Sequence, residues 1–262
     1  MQAPNVILSG GGMKGAYQYG FFKRVYELNP NFEVNKVYAV SVGSLNAIPI
    51  IAKKIDMLDK HWNHPTLMPF DTIATDWESV NSKHPHYRNI QRARAFLKKG
   101  SLYKSLNVDI CYDIINNLPQ ETFDQVKKKM VVISYDTKEG RLVFDRIRTV
   151  EKAVQSIKSS SMFPGLFQID SDQIDVYSNA CINFAPIIKG SDPWLCLDLQ
   201  GDMKNNCFFS GKVGKNITIY SPELVNSPTL NTVSCLIVDR KILDDMIDEG
   251  QLDAERYLNA QA

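Results

Sequence analysis

No apolar run in this chain approaches the roughly 18 residues that a membrane-crossing helix needs. Cysteine is scarce as well. The five present, at 111, 181, 196, 207 and 235, are odd in number and lack C-x-x-C spacing, so neither a disulfide framework nor a zinc ribbon is expected. The four histidines fall in His61-Trp62-Asn63-His64 and His84-Pro85-His86, with no nearby Cys, Asp or Glu to complete a metal set, and they read as loop residues. Net charge is only +1, which commits the chain as a whole to neither nucleic acid nor an anionic surface. Repeats and low-complexity tracts are absent, and no composition break marks a second domain. The first residues, Met1-Gln2-Ala3-Pro4-Asn5, carry no basic segment and no apolar stretch of signal length. An intracellular, soluble, cytoplasmic protein that is not secreted is the expectation, with peripheral membrane contact as its one qualification.

Acid is locally missing too. Between Ser79 and Val108 there is no Asp or Glu, while Lys83, Arg88, Arg92, Arg94, Lys98, Lys99 and Lys104 are interleaved with Tyr87, Phe96, Leu97 and Tyr103. Such a stretch docks on an anionic membrane, steers an acidic substrate or is a solvated helix face.

What the chain does contain begins with a short apolar strand, Asn5 to Leu8, running into Ser9-Gly10-Gly11-Gly12-Met13-Lys14-Gly15 and a helix from about Ala16 to Leu28. Tyr17, Phe21, Val25 and Leu28 recur at helical spacing and are expected to face the core. Glycines between a strand and a helix start turn several backbone N–H groups toward one spot, a nest for a negative oxygen. A dinucleotide pyrophosphate, an ester oxyanion and a plain turn all fit that pattern. The dinucleotide reading wants an acid at the end of the second strand, and the nearest, Glu33, comes before it. A phosphate-binding P-loop wants Lys-Ser/Thr after the last glycine, where Ala16 stands.

The second strand, Val37 to Val40, stops at Ser41-Val42-Gly43-Ser44-Leu45-Asn46-Ala47 and passes into a helix continued from Ile48 to about Lys60. A strand, one serine on a tight turn, and a helix form a nucleophile elbow. Gly43 is one of the elbow's two usual small residues, and Ala39 stands where the other glycine would be. A parallel sheet would set the ends of the first two strands side by side, so that the glycine loop could hold the oxyanion formed when Ser41 attacks an ester.

Together, Gly10-Gly11-Gly12-Met13-Lys14-Gly15 and Ser41-Val42-Gly43 resemble the patatin-like phospholipase (patatin-like acyl hydrolase) family, which pairs a glycine-rich oxyanion loop with a serine elbow. A third match is Ser159-Ser160-Ser161-Met162-Phe163-Pro164-Gly165-Leu166-Phe167, similar to the segment before the family's catalytic aspartate. The resemblance implies a Ser-Asp dyad with no histidine, metal or cofactor, acting on phospholipids or other acyl esters. Reading forward from Pro164 puts Asn179 in the aspartate position, whereas counting back from Pro186 favours Ser178. An amide is no base. A relocated base at Asp172 or Asp175 is the third option, though Asp175 lies about 13 Å along an extended strand from Asn179. With Asn179 in the base position, either an introduced change silences a working hydrolase or the chain is a natural pseudoenzyme. The intact Ser41 and glycine loop favour the former.

Between the two matches, Thr122 to Lys129 read as a short polar segment, Met130 to Asp136 as a buried strand, and Thr137 to Gly140 as a hairpin turn returning through Leu142 to Phe144. Thr149 is placed to cap a helix that breaks at Ser159. Later strands are expected at Trp194 to Leu199 and Asn216 to Tyr220, with a last helix from about Leu243 to Leu258. The expected fold is α/β, a three-layer α/β/α arrangement around a mostly parallel sheet, in one domain over 1–262 with a variable cover near 61–118. The expected function is a phospholipase A-type acyl hydrolase forming an acyl-enzyme on Ser41, with Gly10, Gly11, Gly12, Met13, Lys14 and Gly15 as the oxyanion loop. Lys14 would brace that loop or add positive potential. A non-catalytic module binding lipid or a protein, and a dinucleotide-binding domain, are the alternatives.

Overall fold

The computed structural model describes residues 2–63, 70–72, 103–106, 109–164, 169–176, 187–188, 191–200, 216–223 and 240–261. Asn179, Ser178, His64, His84, His86, residues 83–102 and Cys181, Cys207 and Cys235 lie outside them.

Strand β1 (Asn5–Leu8) is buried along its whole length, which is why it reads as an unbroken apolar run and not an alternating one. Among the described residues it lies within a seven-stranded sheet. On one side it pairs in parallel with β2 (Val37–Ala39), and β2 in turn with β5 (Met130–Asp136). On the other side it pairs in parallel with β8 (Trp194–Leu197), and β8 with β9 (Ile217–Tyr220). Among the described residues of this sheet, antiparallel pairing is confined to the edge, where β6 (Arg141–Arg146) and β7 (Gln173–Ile174) both join β5. A separate antiparallel pair is formed by β3 (Phe70–Thr72) and β4 (Tyr103–Leu106). The chain first builds outward from β1 through β2 to β5, then returns to β1's other side with β8. That reversal is a topological switch point, and its carboxyl-end crevice is where open α/β sheets bind ligands.

Helices surround this mixed sheet, giving the expected α/β class. Side chains of α1 (Gly15–Leu28), α2 (Val42–Ala52), α3 (Asp59–Asn63), α4 (Asp109–Asn116), α5 (Gln120–Lys129), α6 (Val150–Ser161) and α7 (Arg240–Asn259) join Val6, Leu8, Val37, Ala39, Met130, Val132, Leu195 and Leu197 in one core cluster. A second cluster on the alternate residues, Ile7, Val40, Ile133, Trp194 and Cys196, packs with Val176. Trp62 and Cys111, Ile114, Ile115 and Leu118, at the two ends of the span read as cover, belong to the main core. Among the described residues no helix is long and apolar enough to cross a membrane.

Helix α1 crosses α7 at backbone contact distance. A Cβ on Gly20 would stand 2.2 Å from the Ile247 carbonyl oxygen, and one on Gly250 2.2 Å from that of Tyr17. Beside the crossing, the buried Tyr17 hydroxyl donates to Asp253 at 2.6 Å, and Arg256 pairs with that carboxylate's other oxygen at 2.8 Å. Burial, reinforced by the adjacent carboxylate, drives the Tyr17 pKa far above its ordinary value.

Several boundaries differ from the sequence reading. Helix α2 ends at Ala52, well short of Lys60, because Lys53 turns left-handed (φ 54°) and the Lys53 and Lys54 N–H groups close back on Ile50 and Pro49. This is a Schellman-type stop made without the usual glycine. A 3-10 turn (Ile55–Leu58) and α3 follow, so His61 sits on a helix and is buried, not on a loop. The polar segment from Thr122 is helical, as α5, and buries only Phe123 and Val126. Helix α6 is capped by Thr149, which accepts from the Lys152 N–H, but it continues through Ser159, Ser160 and Ser161 where a break was expected. Strand β8 stops at Leu197, two residues early. Leu28 is 50% exposed, since it falls on the last turn of α1 just before the chain leaves the helix at Asn29.

Candidate active site

The carboxyl ends of β1 and β2 lie side by side, with Leu8 opposite Ala39. Each strand then turns into a helix, and the two turns touch. A Cβ on Gly15, at the start of α1, would stand 2.6 Å from Cγ2 of Val42, at the start of α2. The glycine loop and the serine turn, separate in sequence, are one site in space.

Ser41 is the link between β2 and α2, half-buried, with φ 54° and ψ −127°. An L-residue in that region carries strain of about 1–3 kcal/mol. Serine before a helix normally caps it with its hydroxyl, yet the Ser41 hydroxyl makes no capping bond to α2. The turn therefore does not spend Oγ on the helix, as a nucleophile elbow requires. Space for the turn comes from Gly43, where a Cβ would meet the Leu8 carbonyl oxygen at 2.4 Å. Ala39 is the last, fully buried residue of β2 and pairs with both neighbouring strands, so a small side chain suffices there.

The glycine loop is more ordered than a nest of open amides. Residues Gly12–Lys14 form a 3-10 turn, entered through Gly12 at φ 56°. Inside it the Lys14 N–H bonds to the Gly11 carbonyl at 3.2 Å and the Gly15 N–H bonds back to that of Gly12. Those two amides serve the turn, so Lys14 and Gly15 drop out of the six-residue set read as an oxyanion loop, and Gly11, Gly12 and Met13 lie at the turn's open end. The carbonyls around it are pinned from outside. Gln18 Nε2 donates to the Ser9 carbonyl at 2.9 Å, and Gln200 Nε2 to that of Gly10 at 2.9 Å. Asn46 Nδ2 donates to the Gly15 carbonyl at 3.0 Å and to Gln18 Oε1 at 3.2 Å, and Trp62 Nε1 donates to Asn46 Oδ1 at 3.2 Å. In a planar trans peptide a pinned carbonyl fixes the next N–H in the opposite direction, so Gln200 aims the Gly11 N–H. The Ser9 hydroxyl accepts from the Leu199 N–H at 2.6 Å, tying the loop to the end of β8.

Lys14 is almost wholly buried, and its Cε lies 3.2 Å from where a Gly11 Cβ would stand. It packs against the loop inside the protein and does not project from the surface. His61 is buried edge-on against Trp62, with ring centroids 4.8 Å apart, and burial lowers its pKa to about 4. Asp172 is on the surface, paired with Lys138 Nζ at 2.7 Å. Asp175 is buried, and its N–H bonds to the Met162 carbonyl at 3.0 Å. Among the described residues no group of three or more His, Cys, Asp or Glu could hold a metal. Cys111 and Cys196 are free, buried thiols whose pKa values burial raises, that of Cys111 to about 12.

Sequence reasoning missed three residues at this site. Ser160, on the last turn of α6, accepts the Ser41 N–H at 2.8 Å and donates to the Ile133 carbonyl at 2.6 Å, with Ser44 Oγ 3.4 Å away. Gln200 and Asn46 hold the glycine loop. Nothing local to any of them signals the role, because every partner is distant in sequence.

Residues 6–186 match a family model described as patatin-like phospholipase. No curated protein matches the chain in sequence. Among solved structures, VipD from Legionella pneumophila is similar at 15% identity and a TM-score of 0.40, over 77% of this chain and 50% of that one. ExoU, in its heterodimeric complex with SpcU from the type III secretion system of Pseudomonas aeruginosa, is similar at 19% identity and a TM-score of 0.42, over 100% of this chain and 52% of that one. The chain thus spans about half the length of each.

Proposed function

Because the chain belongs to the patatin-like phospholipase family, we propose that it is built to hydrolyse lipid acyl esters, phospholipids foremost, through an acyl-enzyme on Ser41. The observation that carries this reading is Ser41 at φ 54° on the strand-to-helix turn, packed against a glycine turn whose carbonyls are held away from its open end. Oγ of Ser41 would add to the ester carbonyl carbon, and the N–H groups of Gly11, Gly12 and Met13 would receive the negative oxygen. Collapse of the tetrahedral intermediate would expel the alcohol and leave an acyl-Ser41, which water then cleaves. Both steps need a base to take a proton, from Oγ first and from water second.

Position 179 is where the family resemblance puts that base, and the chain has Asn there. An amide orients a hydroxyl but does not accept its proton, so the chain as written is proposed to be idle. A second reading, a pseudoenzyme that keeps the pocket to bind lipid or a protein, is favoured by this same residue. Residues 83–104, basic and free of acid, would supply contact with an anionic membrane, so that the protein works as a peripheral one.

The test is Asn179→Asp, with Ser178→Asp made in parallel to resolve the register. One of them is expected to release product from a short-chain acyl ester and from phospholipid vesicles, and Ser41→Ala in that background is expected to abolish it. If both variants stay inert on every ester offered, the hydrolase reading is wrong and the binding module stands.

A further inference from the structure

The hydroxyl of Ser160 occupies a place that the sheet would otherwise fill with a backbone hydrogen bond. Strand β2 pairs with β5 in the register Val37 to Met130, Tyr38 to Val131 and Ala39 to Val132. Extended by two residues, that register sets Ser41 opposite Ser134. In a parallel ladder the Ser41 N–H would then bond to the carbonyl of the residue before Ser134, which is Ile133. The direction is right, because the preceding Val40 N–H points the other way and bonds to Leu8 of β1 at 3.0 Å. The direct bond is not made. Ser160 Oγ sits between the two groups, accepting from Ser41 N–H at 2.8 Å and donating to the Ile133 carbonyl at 2.6 Å.

We propose that Ser160 is a positioning residue that pries β2 from β5 at the elbow and so holds Ser41 in its positive-φ, nucleophile-presenting conformation. A serine inside a helix ordinarily bonds back to its own helix or points to water. Ser160 is fully buried, and its proton goes to Ile133 on the sheet. One hydroxyl meets two needs at once, a buried N–H and a buried carbonyl that would each be costly alone. Without it the two groups can satisfy each other only by closing the ladder. Closure would draw Ser41 back toward extended backbone and swing Oγ from the glycine turn. The Ser41 amide, already given to Ser160, is also removed from the oxyanion donors, which leaves that duty to Gly11, Gly12 and Met13.

The catalytic consequence rests on the acyl-hydrolase reading; the conformational claim does not, and two measurements separate them. The first is a stability cycle in urea between Ser160→Ala and Ser41→Gly. Glycine at 41 relieves the positive-φ strain, and its added freedom in the unfolded chain is common to both backgrounds and cancels. Ser41→Gly is therefore expected to shift the unfolding midpoint more favourably in the parent than in Ser160→Ala, where the strain has already been released. Equal shifts would mean that Ser160 merely packs, and would overturn the proposal. The second is steady-state kinetics in the Asn179→Asp background, where adding Ser160→Ala is expected to lower kcat roughly 100-fold with KM unchanged, the scale of a 1 Å misplacement. An unchanged kcat would overturn it equally. If Asn179→Asp is inert, the hydrolase reading fails and the stability cycle alone decides on Ser160. Should Ser160→Ala not fold, Ser160→Cys, with its weak donor and acceptor, goes through the same cycle with the same two outcomes.

Discussion

Acid should loosen the support beneath the glycine turn, and His61 sets where. Its side chain is 4% exposed, and Nδ1 has no hydrogen-bond partner among the described residues. Burial lowers its pKa from an ordinary 6.5 to about 4. The unfolded chain takes up a proton near pH 6.5 and the folded one only near pH 4. Between those values the unfolded state holds more protons, and stability must fall as pH falls. His61 thus costs nothing above about pH 6.5, and the loss is complete below about pH 4. At 1.36 kcal/mol for each tenfold change, the whole window amounts to about 3 kcal/mol. Trp62, against which the imidazole packs, donates to Asn46, which holds the Gly15 carbonyl, so disturbance at His61 passes to the turn through these two residues. The assay is urea unfolding of the parent and of His61→Phe, a ring with no proton to take up, at intervals from pH 7.5 to pH 4. Carboxylates titrate in both proteins and cancel in the difference. The stability of the parent minus that of the variant is expected to be flat above pH 6.5 and to drop by about 1.4 kcal/mol per pH unit through the middle of the window. Parallel curves across the whole range would refute a neutral, buried His61.

Three further outcomes are expected. Tyr17→Phe removes a hydrogen bond to the buried Asp253 carboxylate, and the loss in urea unfolding should be about 2 kcal/mol; a change within error would show that Arg256 alone satisfies Asp253. Gln200→Ala, in the Asn179→Asp background, frees the Gly10 carbonyl and the aim of the next N–H, so kcat should fall about tenfold or more at constant KM. A rise in KM alone would place Gln200 in substrate binding instead. Binding to anionic vesicles should weaken with added salt and on neutralising Arg92, Arg94, Lys98 and Lys99 together; salt-independent binding would remove the basic stretch from any membrane role.

The parts of the site that were legible in sequence are those whose chemistry is local. A glycine turn between strand and helix, and a serine between strand and helix, carry their backbone demands in adjacent residues. The parallel pairing that joins them follows from two apolar strands with a helix between. Ser160 and Gln200 were not legible, because their bonds reach across 119 residues to Ser41 and 190 to Gly10. Serines in a row read as a helix break, yet at 159–161 burial and partners elsewhere in the fold keep them helical. The end of α2 was missed since lysine, not glycine, takes the left-handed position. Helix α5 was missed because two buried side chains, Phe123 and Val126, are too few to show a period.

The energetics of Ser41 bear on the choice between an enzyme and a binding module. A serine in an ordinary N-cap geometry contributes about 1 kcal/mol through its hydroxyl, a bond Ser41 does not make. Its positive φ costs about 1–3 kcal/mol besides. Glycine at this position would carry no such strain and leave the turn, the strand pairing and the glycine loop as they are. For a fold that only bound lipid, serine here is a loss on both counts. The loss is offset by structure on every side: Gly43 admits the Leu8 carbonyl, Ser160 takes the amide, and Asn46 and Gln200 hold the opposing turn. The strained serine is supported from the glycine loop, from α2 and from α6, so a single change at 179 is expected to restore turnover without rebuilding the elbow.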